Sequence, residues 1–166
     1  KPGLARGMNR WMATLAATEP RLIGLGTVLP GEPDAADVLD EAFSLGLRGA
    51  KLHCHVQCFA VDSEVMEPLY DVAERWGRPL VVHAGREPKS PAYRCDPHLL
   101  CDAERVGRVL GNRPGLKLCV PHMGADEFEA YGRLLERHDG LWLDSTMMLS
   151  GYFDVPTQRR LLRTRP

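Results

Sequence analysis

The stretch Arg78-Pro-Leu-Val-Val-His-Ala-Gly85 places a short apolar run directly before a histidine and a glycine. A second stretch, Leu116-Lys-Leu-Cys-Val-Pro-His-Met-Gly124, has the same arrangement. Parallel strands of α/β proteins are apolar runs because helices cover them, and the loops after their C-terminal ends build the active site. The two stretches therefore predict neighbouring parallel strands that bring His83 and His122 to one edge of a sheet, where imidazoles serve as metal ligands or proton carriers.

Short apolar runs alternate with amphipathic stretches along the chain. A helix near Leu4 to Ala17 comes first, and five βα units follow it. The predicted strands lie at Leu22 to Leu29, Gly49 to His53, Leu80 to His83, Leu116 to Pro121 and Leu141 to Asp144. Strands that alternate with helices of ordinary length predict an α/β fold with a parallel sheet and right-handed crossovers.

The helices between the strands are predicted from apolar spacing and capping residues. Three of them are expected near Ala35 to Leu45, Glu64 to Trp76 and Glu127 to Arg137. A fourth is expected to begin with Asp96 as its N-cap and Pro97 in its first position, and to stop at Gly111.

The composition limits the classes of function. The 166 residues are 44% hydrophobic, which suits one domain with a core, and a formal net charge of -1 argues against the basic surface that nucleic acid requires. No apolar run reaches the roughly 20 residues that span a bilayer, so we expect a soluble, cytoplasmic protein without a membrane partner. Five cysteines without a Cys-x-x-Cys pair indicate reduced thiols rather than a disulfide framework or a zinc ribbon.

Two architectures fit the predicted pattern. A doubly wound five-stranded sheet suits the length, whereas a complete eight-stranded barrel typically needs about 250 residues. The strand endings favour part of a barrel, because four of the five predicted strands end in or beside a chemically capable residue: Lys51 and His53, His83, His122 and Asp144. A barrel makes such endings converge around one axis, whereas an open sheet has a single switch point.

At these residues the chain resembles the amidohydrolase-related metal-dependent hydrolases of the TIM-barrel superfamily, in the branch that also contains decarboxylases. The resemblance covers most of the chain and is carried, in order, by Pro20-Arg-Leu-Ile-Gly-Leu-Gly-Thr-Val28, Gly46-Leu-Arg-Gly-Ala-Lys-Leu-His53, Glu67-Pro-Leu-Tyr70, Arg78-Pro-Leu-Val-Val-His-Ala-Gly85, Val120-Pro-His-Met-Gly124 and Leu141-Trp-Leu-Asp-Ser145. It implies an incomplete (β/α)8 TIM barrel of five parallel βα units, in which residues 1–166 form a single domain with the third to seventh strands. Strands one, two and eight are then expected to be missing.

The resemblance also implies a site. In the family, a His-x-His pair of strand one, a histidine of strand five and an aspartate of strand eight hold the metal, while a histidine of strand six contacts the reacting water. His83 matches the strand-five metal ligand, and His122 matches the strand-six catalytic histidine. The expected cofactor is a divalent metal ion, zinc first, and a catalytic zinc normally keeps three protein ligands and a water. We therefore expect this chain alone to be inactive.

Other site residues are expected around these histidines. Lys51 and His53 share one face of their strand and are expected to contact substrate, with an internal ion pair as the alternative for Lys51. Arg86 is expected to hold a substrate carboxylate by a bidentate pair, with a solvated loop residue as the alternative. Asp144 is expected to face the substrate or to support a group that does.

Three residues after the second predicted strand are expected to be loop and packing residues: Cys54, His55 and Cys58. His55 forms a His-x-His pair with His53, but the Lys51-Leu before that pair matches the family's fourth strand better. The alternative is a structural zinc that joins this segment to Cys95 and Cys101, although no spacing among them is typical of such a site.

The function expected of the intact protein is that of a hydrolase, in which a metal-activated water attacks a C–O or C–N bond of a small carbonyl substrate. Decarboxylation is the alternative within the superfamily. A non-catalytic, doubly wound α/β binding domain is the alternative of another class, and a degenerate barrel kept as an assembly module is a third. Unpaired strands at the edges of a barrel fragment also invite pairing with a second copy, and hence a homo-oligomer.

Overall fold

The computed structural model describes residues 3–86 and 90–148. Four strands form one parallel sheet: β1 (Ala50–His53), β2 (Leu80–His83), β3 (Leu118–Val120) and β4 (Leu141–Leu143). They lie side by side in the order β1-β2-β3-β4, so each pairs with the next strand of the chain. Every crossover therefore moves one place in the same direction, as in a barrel wall, whereas a doubly wound sheet reverses direction at its switch point.

Helices connect the strands and cover one face of the sheet. Their bounds are Leu4–Thr18 (α1), Ala35–Ser44 (α2), Cys54–Gln57 (α3), Glu67–Trp76 (α4), Ala103–Asn112 (α5) and Phe128–Leu135 (α6). Three 3-10 turns accompany them, at Glu64–Met66, Pro97–Leu99 and Pro121–Glu127. None of the helices that the structure describes combines the length and the apolar surface needed to span a bilayer.

The two faces of the sheet differ in burial. Ala50 and Leu52 of β1, and Leu80 and Val82 of β2, are buried against the helices. The residues between them are only partly buried, and Trp142 of β4 is 47% exposed. Because successive side chains of a strand point to opposite faces, the hydrophobic core lies between the sheet and the helices. In a closed barrel the second face is the interior.

The first of the five predicted strands, Leu22 to Leu29, is reduced to a single bridge between Gly26 and Ala50. Both backbone groups of Thr27 are taken by the side chain of Asn9 in α1. The N–H of Thr27 donates to Asn9 Oδ1 at 2.8 Å, and Asn9 Nδ2 donates to the Thr27 carbonyl at 2.9 Å. The segment still hydrogen-bonds to β1 and to the residues just before it through Gly24 and Gly26, while Asn9 occupies the outward-facing groups of Thr27. The sheet has four strands where the sequence predicted five.

Helix α5 begins later than the sequence predicted. Asp96, the expected N-cap, caps only the 3-10 turn that precedes the helix. The carbonyl oxygens of Leu100 and Cys101 accept hydrogen bonds from segments earlier in the chain, so they cannot serve a continuous helix. Asp102 is the N-cap of α5, and Gly111, the expected stop, lies inside the last turn.

Replacing Asn9 by alanine is expected to lower the free energy of unfolding by about 1–3 kcal/mol, because the backbone groups of Thr27 would lose their partners at a partly buried position. Asn9 itself is only 2% exposed. Denaturant unfolding followed by circular dichroism measures the change. Asn112→Ala, at the exposed end of α5, is the matched control and should change stability by less than about 0.5 kcal/mol. Equal changes in the free energy of unfolding of the two variants would contradict a stabilising role of the Asn9–Thr27 hydrogen bonds.

Candidate functional site

Two histidines meet at the C-terminal edge of β1 and β2. His53 and His83 are paired across the two strands, and their rings stack with centroids 3.9 Å apart and planes 9° from parallel. Each follows a buried residue, Leu52 or Val82, so both imidazoles lie on the partly exposed face of the sheet. Two protonated imidazoles at this distance would repel each other strongly. The stacking therefore disfavours a state in which both rings are protonated, and a neutral imidazole is the form that binds metal ions.

A third histidine, His55, reaches the same place from α3. Because β1 ends at His53 and the helix begins at Cys54, His55 lies on a helical turn rather than two places along a strand. Its buried ring is edge-on to His53 and His83, at centroid distances of 5.5 and 5.1 Å. The burial of His55 agrees with the expectation of a packing residue. That expectation does not explain the ring contacts with His53 and His83, which the His-x-His spacing indicates.

We call His53, His55 and His83 the histidine cluster. Their ring nitrogens lie within 4.8 Å of one another, and in residues 3–86 and 90–148 no other three His, Cys, Asp or Glu side chains converge in this way. Three imidazoles are a suitable donor set for zinc and related transition metals. A tetrahedral ion with bonds of about 2.0–2.1 Å needs nitrogens about 3.3 Å apart, so binding requires the rings to turn toward a common point.

Tyr93 adds an aromatic ring to this cluster. Its ring centroid lies 5.3 Å from that of His55 and 6.5 Å from that of His53. Tyr93 belongs to the long connection between β2 and α5, where no hydrophobic period marks which side chains point inward. Its position was therefore not predicted from the sequence.

Four of the five cysteines meet in pairs and do not form the structural zinc site considered above. Cys54 lies beside Cys101, and Cys58 lies beside Cys95, close enough in each pair for one thiol to shift the pKa of the other. In the part of the chain that the structure describes, no cysteine joins a group of three metal-binding side chains. The hydrogen bond with Cys54, followed by the one with His55, lowers the pKa of the Cys101 thiol to about 6.

His122 follows β3 and faces His83. The two ring centroids are 5.0 Å apart, with the planes at 67°. His122 Nδ1 lies 2.8 Å from the carbonyl oxygen of Thr146. Because a carbonyl oxygen only accepts hydrogen bonds, Nδ1 carries the proton, and Nε2 of the neutral ring keeps its lone pair. This is the tautomer that a proton acceptor or a metal ligand requires.

The turn that carries His122 has a left-handed backbone. The φ angles are 56° at His122, 50° at Met123 and 81° at Gly124. Such sparsely populated conformations cost about 1–3 kcal/mol each in a non-glycine residue and persist only where the surroundings enforce them. Here the N–H of Met123 donates to the carbonyl of Asp144 at 2.9 Å, which fixes the turn beside β4.

Two glycines bring the loops after β2 and β3 into backbone contact. A Cβ at Gly85, where φ is 95°, would overlap the backbone of Gly124. A Cβ at Gly124 would in turn overlap the ring of Tyr131 in α6. Only glycine fits these positions, and their close approach sets the distance between His83 and His122.

Lys51 and Asp144 are close enough for their charges to interact. Burial lowers the pKa of Lys51, and the negative charge of Asp144 partly offsets that effect. Burial also acts to raise the pKa of Asp144, but hydrogen bonds from Thr146 and His122 outweigh it and hold the pKa below its usual range. Asp144 Oδ1 accepts from Thr146 N–H at 2.8 Å. Asp144 therefore supports the turn of His122.

Arg86 faces a carboxylate of the protein itself. Its Nε lies 3.8 Å from Glu127 Oε1, and its backbone N–H donates to Glu127 Oε2 at 2.8 Å. The Arg86 side chain is half exposed. The carboxylate-binding role predicted for Arg86 thus has a competitor within the fold, and the pair ties the loop after β2 to the turn after β3.

A parallel sheet of successive βα units, with histidines gathered at the C-terminal ends of its strands, defines the class of (β/α)8 TIM-barrel proteins with a site at that edge. The sequence model of the amidohydrolase family matches residues 2–164. The chain belongs to the amidohydrolase family, and the resemblance read from its sequence is confirmed. No protein with a curated description is similar enough to match.

Solved structures with the same fold include decarboxylases. An uncharacterized TIM-barrel protein from Bordetella bronchiseptica is 23% identical, with a TM-score of 0.73 over 86% of this chain and 50% of its own. A 5-carboxyvanillate decarboxylase from Sphingomonas paucimobilis is 26% identical, with a TM-score of 0.58 over 75% of this chain and 43% of its own. A 5-carboxyvanillate decarboxylase from Novosphingobium aromaticivorans, solved with bound manganese, is 26% identical, with a TM-score of 0.58 over 81% of this chain and 42% of its own. The chain spans about half the length of these structures.

Replacing Gly124 by alanine is expected to lower the free energy of unfolding by at least about 2 kcal/mol, because the new Cβ would overlap Tyr131 at a left-handed position. Gly132→Ala in α6, where a Cβ meets open space, is the matched control and should stabilise the helix by about 0.5–1 kcal/mol. Denaturant unfolding measures both changes. Similar changes in stability for the two substitutions would contradict the close contact between Gly124 and the ring of Tyr131.

Replacing Asp144 by alanine is expected to destabilise the protein by about 0.5–1 kcal/mol at neutral pH, since its hydrogen bonds are partly exposed to solvent. A carboxyl group whose pKa is lowered by folding stabilises the fold fully above its ordinary value of 3.8, and this contribution is lost as the pH falls through the folded value. The difference between wild type and variant should therefore shrink below pH 4. Unfolding curves between pH 3 and pH 7 measure this difference in stability, and the exposed Asp139→Ala is the control. A difference between wild type and Asp144→Ala that stays constant with pH would contradict the prediction.

Proposed function

We propose that this chain is the central part of a metal-dependent hydrolase that attacks a C–O or C–N bond of a small carbonyl substrate. The observation that carries the proposal is the convergence of His122 with the histidine cluster at the carboxyl ends of the strands. In TIM barrels this edge is where catalytic residues lie. Membership of the amidohydrolase family supports an enzyme that depends on a metal ion.

In the complete protein, residues 1–166 are proposed to supply strands three to seven of one barrel domain. Strands one, two and eight would then come from flanking sequence, together with the family's remaining metal ligands. This chain alone is therefore proposed to be inactive. A cytoplasmic location and a homo-oligomer formed through strand edges stay predictions.

The metal is proposed to bind His83. The ring nitrogens of His53 and His55 lie within 4.8 Å of that of His83, so this chain offers up to three imidazole donors at one point. Zinc is the proposed cofactor because catalytic zinc sites are commonly built from histidine nitrogens. Manganese is the alternative, since the decarboxylase from Novosphingobium aromaticivorans contains it.

His122 is proposed to be the catalytic proton acceptor. A divalent ion, when bound, lowers the pKa of a water and polarises the substrate carbonyl. His122 can take up the proton at Nε2, because Nδ1 already donates to the carbonyl of Thr146. The positive charge that the ring then carries lies near the carboxylate of Asp144, which is hydrogen-bonded to the His122 N–H.

The cationic groups near the cluster are proposed to bind the substrate. Lys51 is partly buried, and the attraction of Asp144 offsets the effect of burial on its pKa only in part, so an anionic substrate group would complete its environment. Arg86 can hold a carboxylate if Glu127 gives way, because their side chains approach only to 3.8 Å. His53 is proposed to contact the substrate from the stacked pair with His83.

Decarboxylation of a small aromatic or aliphatic acid is the second candidate function. It is favoured by the two 5-carboxyvanillate decarboxylases at 26% identity. In that reaction the cationic groups and the metal would stabilise charge while carbon dioxide leaves, and no water would attack the substrate. Hydrolysis and decarboxylation therefore differ in their products, which makes them easy to tell apart.

The test uses the full-length protein, including its flanking sequence. Metal content is measured before and after a chelator, and activity is measured after reloading with Zn²⁺ or Mn²⁺ on a panel of esters, lactones, amides and aromatic carboxylic acids. His122→Asn is expected to lower kcat by about 10²–10⁴-fold while the bound metal is retained. His83→Asn is expected to lower the metal content itself.

The control is His138→Asn, a histidine after α6 and outside the site, which should alter neither metal content nor kcat. Release of carbon dioxide rather than hydrolysis products would select the second candidate. Activity that survives complete removal of metal, or a kcat of the His122 variant within about twofold of wild type, would overturn the proposal.

A further inference from the structure

Two thiols meet beside the histidine cluster on connections that follow different strands. Cys58 is the residue after α3, which follows β1, and Cys95 lies in the connection after β2. Both sulfurs contact the carbonyl oxygen of His55, at 3.8 Å from Cys58 and 3.4 Å from Cys95. The Cys58 side chain is also close enough to Cys95 to contribute to the raised pKa of the Cys95 thiol. The chain therefore brings together two cysteines that are remote in sequence.

The pair is accessible to a reagent from solution. Cys58 is exposed and Cys95 is half-buried, whereas the neighbouring pair, Cys54 and Cys101, is fully buried. Thiol–disulfide exchange depends on access to the attacking sulfur as well as on its thiolate fraction. Access to solvent thus distinguishes the Cys58–Cys95 pair from the Cys54–Cys101 pair, although both consist of neighbouring thiols.

We propose that Cys58 and Cys95 form a reversible disulfide that fastens the two connections together at the His55 carbonyl. The oxidant is a low-molecular-weight disulfide such as oxidised glutathione. The thiolate of Cys58 attacks one sulfur of the oxidant and releases one glutathione thiolate. The thiolate of Cys95 then attacks the mixed disulfide and releases the second. Two protein thiols are oxidised, and one glutathione disulfide is reduced to two thiols.

The disulfide would act on the site through its neighbours. Tyr93 lies two residues before Cys95, and its ring is edge-on to that of His55 and tilted relative to that of His53. A covalent bond at Cys95 holds this part of the connection against α3. Such a crosslink also restricts the unfolded chain, so the oxidised protein is expected to unfold several degrees higher than the reduced protein. This proposal stands independently of the proposed reaction.

The full-length protein is equilibrated in glutathione buffers of increasing oxidised fraction, alkylated, and digested with a protease that cleaves before aspartate. Trypsin is unsuitable, because one tryptic peptide, 52–75, holds Cys54 and Cys58, and another, 95–105, holds Cys95 and Cys101. Cleavage before aspartate instead separates Cys95, in peptide 71–95, from Cys101, in peptide 96–101. We expect a linked species of peptides 40–61 and 71–95 that grows with the oxidised fraction and disappears on reduction.

Variants identify the cysteine of peptide 40–61. Cys58→Ser should abolish the linked species and the rise in the melting temperature, whereas Cys54→Ala should leave the linkage in place. Linkage of peptide 40–61 to peptide 96–101, linkage that survives in Cys58→Ser, or no linked peptide in the most oxidising buffer would each overturn the proposal. Peptide mapping of the wild-type protein reaches the same decision if a variant fails to fold.

Discussion

The backbone contact between the loops after β2 and β3 determines where the histidines of the site can lie. Gly85 stands two residues after His83, and Gly124 stands two residues after His122. Because each glycine is fixed in the contact, each histidine is held at a set distance from it, and the two rings come within 5.0 Å. A Cβ on either glycine would separate the loops, and with them the two rings. The His-x-Gly spacing at both strand ends is thus a geometric requirement of one contact.

The features that were predictable from the sequence are those set by neighbours along the chain. β2 has its predicted bounds, Leu80–His83. In an α/β protein, a short apolar run that ends in a histidine and a glycine predicts a buried strand. The failures come from partners remote in sequence. Asn9, far from Thr27 in sequence, occupies the backbone groups of Thr27 that a further strand would use. The packing role predicted for His55 agrees with its burial, but its approach to His53 and His83 depends on the helical turn of α3, which the two-residue period of a strand does not predict.

On the partly exposed face of the sheet, a row of side chains lies next to the histidines on the N-terminal side of the strands. The strand register places four residues in one row across the sheet, in the order Lys51, Val81, Cys119 and Trp142. The row lies two residues before the stacked histidines on the same face, as in the layers of side chains that fill a barrel interior. Three members of this row are polar, polarisable or aromatic, so the layer beneath the site differs from the branched aliphatic layers common in barrels. Charge near the histidines is therefore next to polar and polarisable side chains rather than aliphatic ones.

The amide of Asn9 has a consequence for how this molecule can associate. A side-chain amide carries the same donor and acceptor as a peptide unit, and Asn9 presents both to Thr27 as a neighbouring strand would. An edge strand is ordinarily a template on which another molecule can add a strand. Here the amide of Asn9 occupies one position of that template, so any further strand on this side, including strand two of the proposed barrel, would have to replace the two Asn9–Thr27 hydrogen bonds. The side chain of Asn9 thus competes with an added strand for the backbone of Thr27.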